Sequence, residues 1–381
     1  MTRDAHFALC DVIVTVLTYP QSSGASSSIV AMPERRKSML KRILVPLDGS
    51  PRAERALPVA ARIARTSGGT VVLLCVASIP AEYAPAMYAS YVAQTPFYAQ
   101  ELLDAETAKA RYYLADMAQS KHLAGIRTET EALPGSAAPT ILAIAGRDDE
   151  QLVDLIILCS HGRTGFRRWA LGSVAQKVAR HSPVPVLILR EGSYELEDRL
   201  VGATHPLCAL VALDGSPLAE VALIPAAQLV TALAAPGQGA LHLAQIVTLP
   251  TIQSEYDYQK RDGEMREHVL RAATTDLSAF ADSVRASLAA ELGLKVTWSV
   301  AVNEDVADSL IRMAELGEDT GTYQVTSCDQ IAMTTHGHGG FERRMIGSIT
   351  EHVLTGTTLP LLIVQPHEQH TPATNEPEQA F

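Results

Sequence analysis

Cysteine is scarce in this chain, and its few residues follow no pattern. Cys10, Cys75, Cys159, Cys208 and Cys328 are odd in number, scattered, and include no CxxC pair. Disulfide frameworks and zinc sites use several cysteines at short, regular spacings. The sequence therefore predicts neither kind of site, and we expect a reducing, cytoplasmic location.

An excess of positive charge is also missing. The chain has 31 Lys and Arg against 42 Asp and Glu, a formal net charge of −11. A protein that binds nucleic acid or an anionic membrane through its overall charge needs the opposite sign. We therefore expect no nucleic-acid partner and no membrane partner.

Long apolar runs and two well-known phosphate motifs are absent as well. The apolar stretch 7–17 is short and contains Asp11, so it predicts neither a signal peptide nor a membrane span, and we expect no later span. No GxxxxGK[ST] motif occurs, and no GxGxxG follows the first predicted strand. The sequence thus excludes a P-loop and the dinucleotide fingerprint.

An internal repeat is the strongest organisational feature. Segment 41–51 returns as 207–217, and both copies carry Asp-Gly-Ser-Pro, beginning at Asp48 and at Asp214. A second block begins at His161 and at His336; in each copy Gly-Phe and then Gly-Ser follow at equal offsets. A period of roughly 170 residues indicates duplicated domains and not a solenoid, and 381 residues exceed one ordinary core.

Each copy alternates short apolar runs with helical patterns, which favours a parallel sheet with helices on both faces. Ser50 is a predicted helix cap with Pro51 after it. The predicted domains are 41–190 and 205–365, with a flexible segment 1–40, a linker 191–204 and a disordered tail 366–381. The predicted strands are Ile43–Leu47, Val71–Val76, Ile126–Thr130, Leu155–Leu158 and Pro185–Leu189, then Leu207–Leu213, Leu241–Val247, Val296–Val302, Ile331–Thr334 and Leu361–Val364.

Ligands of doubly wound sheets bind at the carboxyl ends of the strands. Asp48 and Asp214 follow the first strand of each copy, while Gly172-Ser173 and Gly347-Ser348 open a helix. A helix start offers free N–H groups and a positive dipole end, and glycine lets a phosphate approach the main chain. Arg163 adds a charge in the first copy.

These residues resemble the universal stress protein family. The resemblance rests on Asp-Gly-Ser after the first strand and on Cys159-Ser160-His161-Gly162, followed nine residues later by Gly172-Ser173. It implies tandem doubly wound, Rossmann-like domains of the adenine nucleotide alpha hydrolase-like type, each with a mainly parallel five-stranded sheet. Nucleotide-binding members have glycine where this chain has Cys159 and Thr334.

The resemblance further implies an adenine nucleotide ligand, ATP or AMP, with or without Mg²⁺. In the first copy the implied binding residues are Pro46, Asp48, Val76, Leu158, Cys159, Gly162, Arg163, Gly172, Ser173 and Val174. In the second copy they are Asp214, Ile246, Met333, Thr334, Gly337, His338, Gly347, Ser348 and Ile349. Because Thr334 is β-branched and His338 replaces Arg163, we expect tighter binding by the first copy.

Plainer interpretations remain open. The helix-start glycines could serve turning or packing, the aspartates could close Asp-Gly turns, and His161 and His336 are favoured as structural. Three functions follow: a nucleotide-binding stress-response module, a slow ATP hydrolase or adenylyl-type enzyme, or an interaction protein with vestigial sites. The resemblance also implies that the last strands of the two domains pair within the chain, with a homodimer as a further expectation.

Overall fold

The computed structural model describes residues 40–79, 95–147, 152–160, 171–190, 206–235, 238–249, 258–317, 327–337 and 346–366. For 95–98 and 258–264 only the backbone is described. The expectations for 1–39, for the linker and for the chain after Pro366 lie outside these residues, as do Gly162, Arg163 and His338. All described residues belong to one compact unit, 38–381.

The first half contains five strands and five α-helices among the described residues. The strands are β1 (Arg42–Leu47), β2 (Thr70–Ala77), β3 (Arg127–Pro134), β4 (Leu155–Cys159) and β5 (Val186–Leu189). The helices are α1 (Pro51–Glu54), α2 (Ala56–Ser67), α3 (Thr95–Ala118), α4 (Ala137–Ala145) and α5 (Ser173–His181).

The second half repeats this order. Its strands are β6 (Leu207–Leu213), β7 (Gly239–Val247), β8 (Lys295–Val302), β9 (Gln330–Thr334) and β10 (Leu361–Val364). Its helices are α6 (Pro217–Glu220), α7 (Leu223–Ala234), α8 (Tyr258–Val284), α9 (Ala290–Leu292), α10 (Val306–Leu316) and α11 (Ser348–Gly356).

The ten strands form one sheet in the order β3-β2-β1-β4-β5-β10-β9-β6-β7-β8. Pairing is parallel within each half, which confirms the predicted doubly wound domains. The halves meet where β5 and β10 pair antiparallel, with Leu187 opposite Leu362. This is the intrachain pairing expected of the two last strands, and it merges the two sheets into one.

The central strands form because they are continuous apolar runs that helices cover on both faces. One apolar layer lies between the sheet and α2, α3, α7 and α8, and the other lies between the sheet and α4, α5, α10 and α11. Both layers run through both halves. The halves also join through polar contacts, since the Arg190 guanidinium donates to the carbonyls of Thr357 at 3.0 Å and Thr355 at 3.2 Å.

The helix after β1 begins where the sequence predicts and breaks early. Ser50 Oγ accepts from the Ala53 N–H at 3.2 Å, and Pro51 is the first helical residue. The helix ends at Glu54 and resumes at Ala56, because Pro58 has no N–H to donate to the Glu54 carbonyl.

Two expectations need correction. β3 continues to Pro134 instead of ending near Thr130, because it is an edge strand whose half-exposed residues lack a continuous apolar run. Residues Pro217–Ala234 are long and apolar enough, by length and composition, to span a membrane, contrary to the expectation of no later span. Here they form α6 and α7, half of these residues are buried, and α7 packs against α2 and β6.

Candidate functional site

The strand order places a topological switch point at the carboxyl ends of the central strands in each half. In the sheet, β1 lies between β2 and β4, and β6 lies between β7 and β9. Connections leave such a point in opposite directions, which opens a crevice where doubly wound proteins bind ligands. Asp48 follows β1 and Asp214 follows β6, so each aspartate stands at one of these crevices.

Both aspartates close the same turn. Asp48 Oδ1 accepts from the Ser50 N–H at 3.0 Å and from the Ser50 hydroxyl at 2.6 Å. Asp214 Oδ1 accepts from the N–H of Ser216 at 2.9 Å and from its hydroxyl at 2.6 Å. The turn is therefore one role of each carboxylate, and both side chains remain exposed at the crevice.

The chain returns to the crevice at the glycines that precede α5 and α11. The Gly172 N–H donates to the Ser160 carbonyl at 2.7 Å, and the Gly347 N–H donates to the Thr335 carbonyl at 2.9 Å. Ser160 and Thr335 directly follow β4 and β9. These bonds bring the start of α5 and α11 beside the ends of the strands that neighbour the aspartates.

Neither α5 nor α11 has a side-chain cap, whereas three of the other helix starts that the structure describes do. Ser50, Ser216 and Asp305 each accept a backbone N–H at the start of their helices. At α5 and α11 the cap residue is glycine, so no side-chain oxygen is available. Within the described residues no acceptor is seen for the first-turn N–H groups of α5 and α11, and helix starts of this kind are chemically suited to an anion.

The backbone does not require glycine at either cap. Gly172 has φ −62° and ψ 147°, and Gly347 has φ −60° and ψ 149°, values that any residue adopts. A tight turn therefore does not explain why Gly172 and Gly347 are glycine. Packing explains part of the choice at Gly347, because an added Cβ would lie 3.3 Å from the Thr335 carbonyl oxygen.

In the second half the loop after β9 rests directly on the aspartate. A Cβ added to Gly337 would lie 1.8 Å from Asp214 Oδ2, so only glycine fits against this carboxylate. The Thr334 hydroxyl donates to the His336 carbonyl at 2.8 Å, and the Thr334 side chain is buried. Thr334 therefore stabilises the loop that carries Gly337.

His336 is held in the same loop. Its Nδ1 lies 3.0 Å from the Thr335 hydroxyl, and burial lowers the pKa of its imidazole. Its Nε2 is buried without a hydrogen-bond partner in the described part of the chain. The Nδ1 contact fits the structural role expected of this histidine and the unpartnered Nε2 does not, so that role stays a prediction.

In the first half Cys159 occupies the position of Thr334, and its side chain makes a different hydrogen bond. The Cys159 thiol donates to the Arg52 carbonyl at 2.8 Å and so links the end of β4 to α1. Arg52 follows the Asp48 turn by four residues, and nothing in its sequence context indicates that its carbonyl faces β4.

The remaining predicted residues lie around the crevices where the structure describes them. Pro46 and Val76 are half-buried near the ends of β1 and β2, and Leu158, Ile246 and Met333 are buried in the apolar layer on that face. Ser173 and Ser348 are exposed at the first helical position. Val174 and Ile349 beside them are 38% and 41% exposed, which is unusual for large apolar side chains.

The family model described as the universal stress protein family matches residues 39–190 and 209–365. The chain belongs to the universal stress protein family. This assignment agrees with the resemblance found in the sequence and with its tandem arrangement, since the model matches each half once.

Individual relatives agree with the assignment. A universal stress protein of Methanocaldococcus jannaschii is 29% identical over 42% of this chain and 87% of its own length. The crystal structure of a universal stress protein from Archaeoglobus fulgidus superimposes with a TM-score of 0.57 at 20% identity, covering 86% of this chain and 98% of that chain. It supports the fold of both halves together. A universal stress protein solved in complex with cAMP is 23% identical over 40% of this chain and 98% of that chain, with a TM-score of 0.26.

Proposed function

We propose that this universal stress protein binds an adenine nucleotide, ATP or AMP, at the crevice of each half and acts as a stress-response or regulatory module. One observation carries the proposal. Two helices, α5 and α11, begin at glycines that the backbone does not require, and neither helix start is capped by a side chain. Phosphate oxygens would accept from these N–H groups and benefit from the helix dipole.

The surroundings supply the other parts of a nucleotide site. Asp48 and Asp214 offer carboxylate oxygens to ribose hydroxyls or to the base. Val174 and Ile349 are exposed beside the helix starts, where a bound nucleotide would cover them. The exposed hydroxyls of Ser173 and Ser348 add donors for the same phosphate.

We expect the first half to bind more tightly. Cys159 is small and half-buried, whereas β-branched Thr334 fills the corresponding position of the second half. In the second half Gly337 already lies against Asp214, so the loop after β9 has little room to move toward a ligand. Arg163 would add positive charge to the first site only.

Isothermal titration of the full chain with ATP, ADP and AMP, with and without Mg²⁺, tests the proposal. We expect heat from at least one nucleotide and a tighter class of sites that Asp48→Ala weakens more than Asp214→Ala. An absence of heat with all three at millimolar concentration would contradict it. Release of phosphate or AMP over hours, abolished by Asp48→Ala, would favour the enzymatic alternative instead.

A further inference from the structure

Two buried thiols of the second half meet at the amino end of its sheet. Cys208 is the second residue of β6, Cys328 lies two residues before β9, and their Sγ atoms are 3.3 Å apart. Both side chains are almost fully buried, at 8% and 1% exposed, in the apolar layer beneath α10 and α11. The two residues are 120 positions apart in the sequence, so the fold brings them together.

The backbone around the thiols is firmly held. The Cys208 N–H donates to Asp329 Oδ2 at 2.7 Å, and the Asp329 N–H donates to the Cys208 carbonyl at 2.8 Å. The two Sγ atoms are 3.3 Å apart, so they need to approach by only about 1.3 Å to reach the S–S bond length of about 2.05 Å. Small rotations of the two side chains would therefore join the sulfurs without moving the strands.

The first half shows that the fold does not need these cysteines. Its Asp154 accepts from the N–H groups of Lys41 at 2.7 Å and Arg42 at 2.8 Å, and so holds the start of β1 as Asp329 holds the start of β6. Arg42 and Val153 stand where the second half has Cys208 and Cys328. The carboxylate is thus common to both halves, whereas the thiol pair is specific to the second.

We propose that Cys208 and Cys328 form a modification site, which low-molecular-weight disulfides oxidise to an intramolecular disulfide. In the first step the Cys208 thiolate attacks one sulfur of the small disulfide, forms a mixed disulfide and releases one small thiolate. In the second step the Cys328 thiolate attacks the Cys208 sulfur, forms the protein disulfide and releases the second small thiolate. Two protein thiols are oxidised and one small disulfide is reduced to two thiolates, which take up the two protons that the protein thiols release.

The surroundings set the order of the two steps. Cys208 is the more exposed residue, so we expect it to reach solvent first when the end of β6 opens locally. The hydrogen bond with Cys208 and burial raise the pKa of the Cys328 thiol, so this thiol is protonated before the first step. Once Cys208 carries a leaving group, Cys328 is already in contact with it, and proximity makes the second step fast.

Peptide mapping by mass spectrometry tests this order. Folded full-length protein would be incubated with oxidised glutathione, quenched with an alkylating agent and digested. We expect a linked peptide pair that contains Cys208 and Cys328 and lacks the mass of two hydrogens, with little glutathione adduct. In Cys328→Ser we expect a glutathione adduct on Cys208 to accumulate, and in Cys208→Ser we expect Cys328 to remain alkylated.

Cys75 and Cys159, which are half-buried in the first half, serve as internal controls in the same digests. Full alkylation of both Cys208 and Cys328 in wild-type protein that keeps its circular dichroism spectrum would overturn the proposal. So would a glutathione adduct on wild-type Cys208 as abundant as that in Cys328→Ser. The wild-type result decides the matter even if a serine variant fails to fold.

Discussion

The two halves of this chain have the same backbone at their crevices and different side-chain contacts around it. The turns at Asp48 and Asp214 have matching hydrogen bonds, and the caps at Gly172 and Gly347 agree within a few degrees. The last residues of the neighbouring strands β4 and β9 make different hydrogen bonds. Cys159 donates to the Arg52 carbonyl, whereas Thr334 donates to the His336 carbonyl in its own loop. The two crevices therefore share their main-chain conformation, and they differ in the side-chain hydrogen bonds around it.

The interiors of the halves differ in the same way. In the second half His242 is fully buried on β7, with Nδ1 2.8 Å from the Thr297 hydroxyl and Nε2 2.9 Å from the Ser299 hydroxyl. The register of β1 with β2 places buried Val72 at the corresponding point of the first half. One half thus contains a titratable group where the other is apolar.

The largest difference between the halves should appear at acid pH. Burial lowers the pKa of His242 to about 4, below about 6.5 in an unfolded chain. The unfolded state therefore binds the proton first as pH falls, and the free energy of unfolding should drop by about 3 kcal/mol between pH 6.5 and 4. Urea unfolding of wild type and of His242→Val, which copies Val72, would measure this as the difference between their pH dependences. Identical pH profiles would show that His242 is not the group responsible.

The next effect concerns the loop that rests on Asp214. Gly337→Ala places a methyl group into the carboxylate, and we expect it to lower the free energy of unfolding by about 2 kcal/mol. Gly347→Ala is the matched control, with a smaller loss because its neighbour is 3.3 Å away. Adding Asp214→Ala to Gly337→Ala should recover part of the loss in a double-mutant cycle. Strict additivity would contradict the contact.

A third comparison uses two equivalent glutamates. The Tyr113 hydroxyl donates to Glu54 Oε1 at 3.0 Å, whereas burial alone raises the pKa of Glu220 and no hydrogen bond to it is seen among the described residues. We expect Tyr113→Phe to cost about 1 kcal/mol, and Glu220→Gln to leave stability unchanged or slightly higher. Chemical denaturation at neutral pH measures both. A clear loss on Glu220→Gln would mean that this carboxylate has a partner.

The smallest effects on stability are expected from the two side-chain hydrogen bonds that differ between the crevices, those of Thr334 and Cys159. Thr334→Val removes the donor to the His336 carbonyl and should cost about 1 kcal/mol. Cys159→Ala removes a weaker thiol donor and should cost about half as much. Thermal unfolding of the two variants side by side would rank them. The reverse order would show that the link between β4 and α1 is the stronger support.

The strands, the repeat and the helix starts could be predicted from the sequence because they depend on local patterns. The buried runs at β6 and β10 begin and end where they were predicted. Three contacts could not be predicted in this way: that of Cys159 with the Arg52 carbonyl, that of Gly337 with Asp214, and that of Cys208 with Cys328. Each of these joins segments about a hundred residues apart, and only the register of neighbouring strands determines which atoms meet.

The central claim is that uncapped helix starts in both halves hold the phosphates of an adenine nucleotide. Titration calorimetry of wild type against Gly172→Ala, Gly347→Ala and the double variant tests it most directly, since the backbone conformation at both positions admits alanine. We expect each single variant to weaken one site about tenfold, and the double variant to lose most binding while its unfolding stays cooperative. Undiminished nucleotide binding by the folded double variant, or no binding by wild type, would contradict the account.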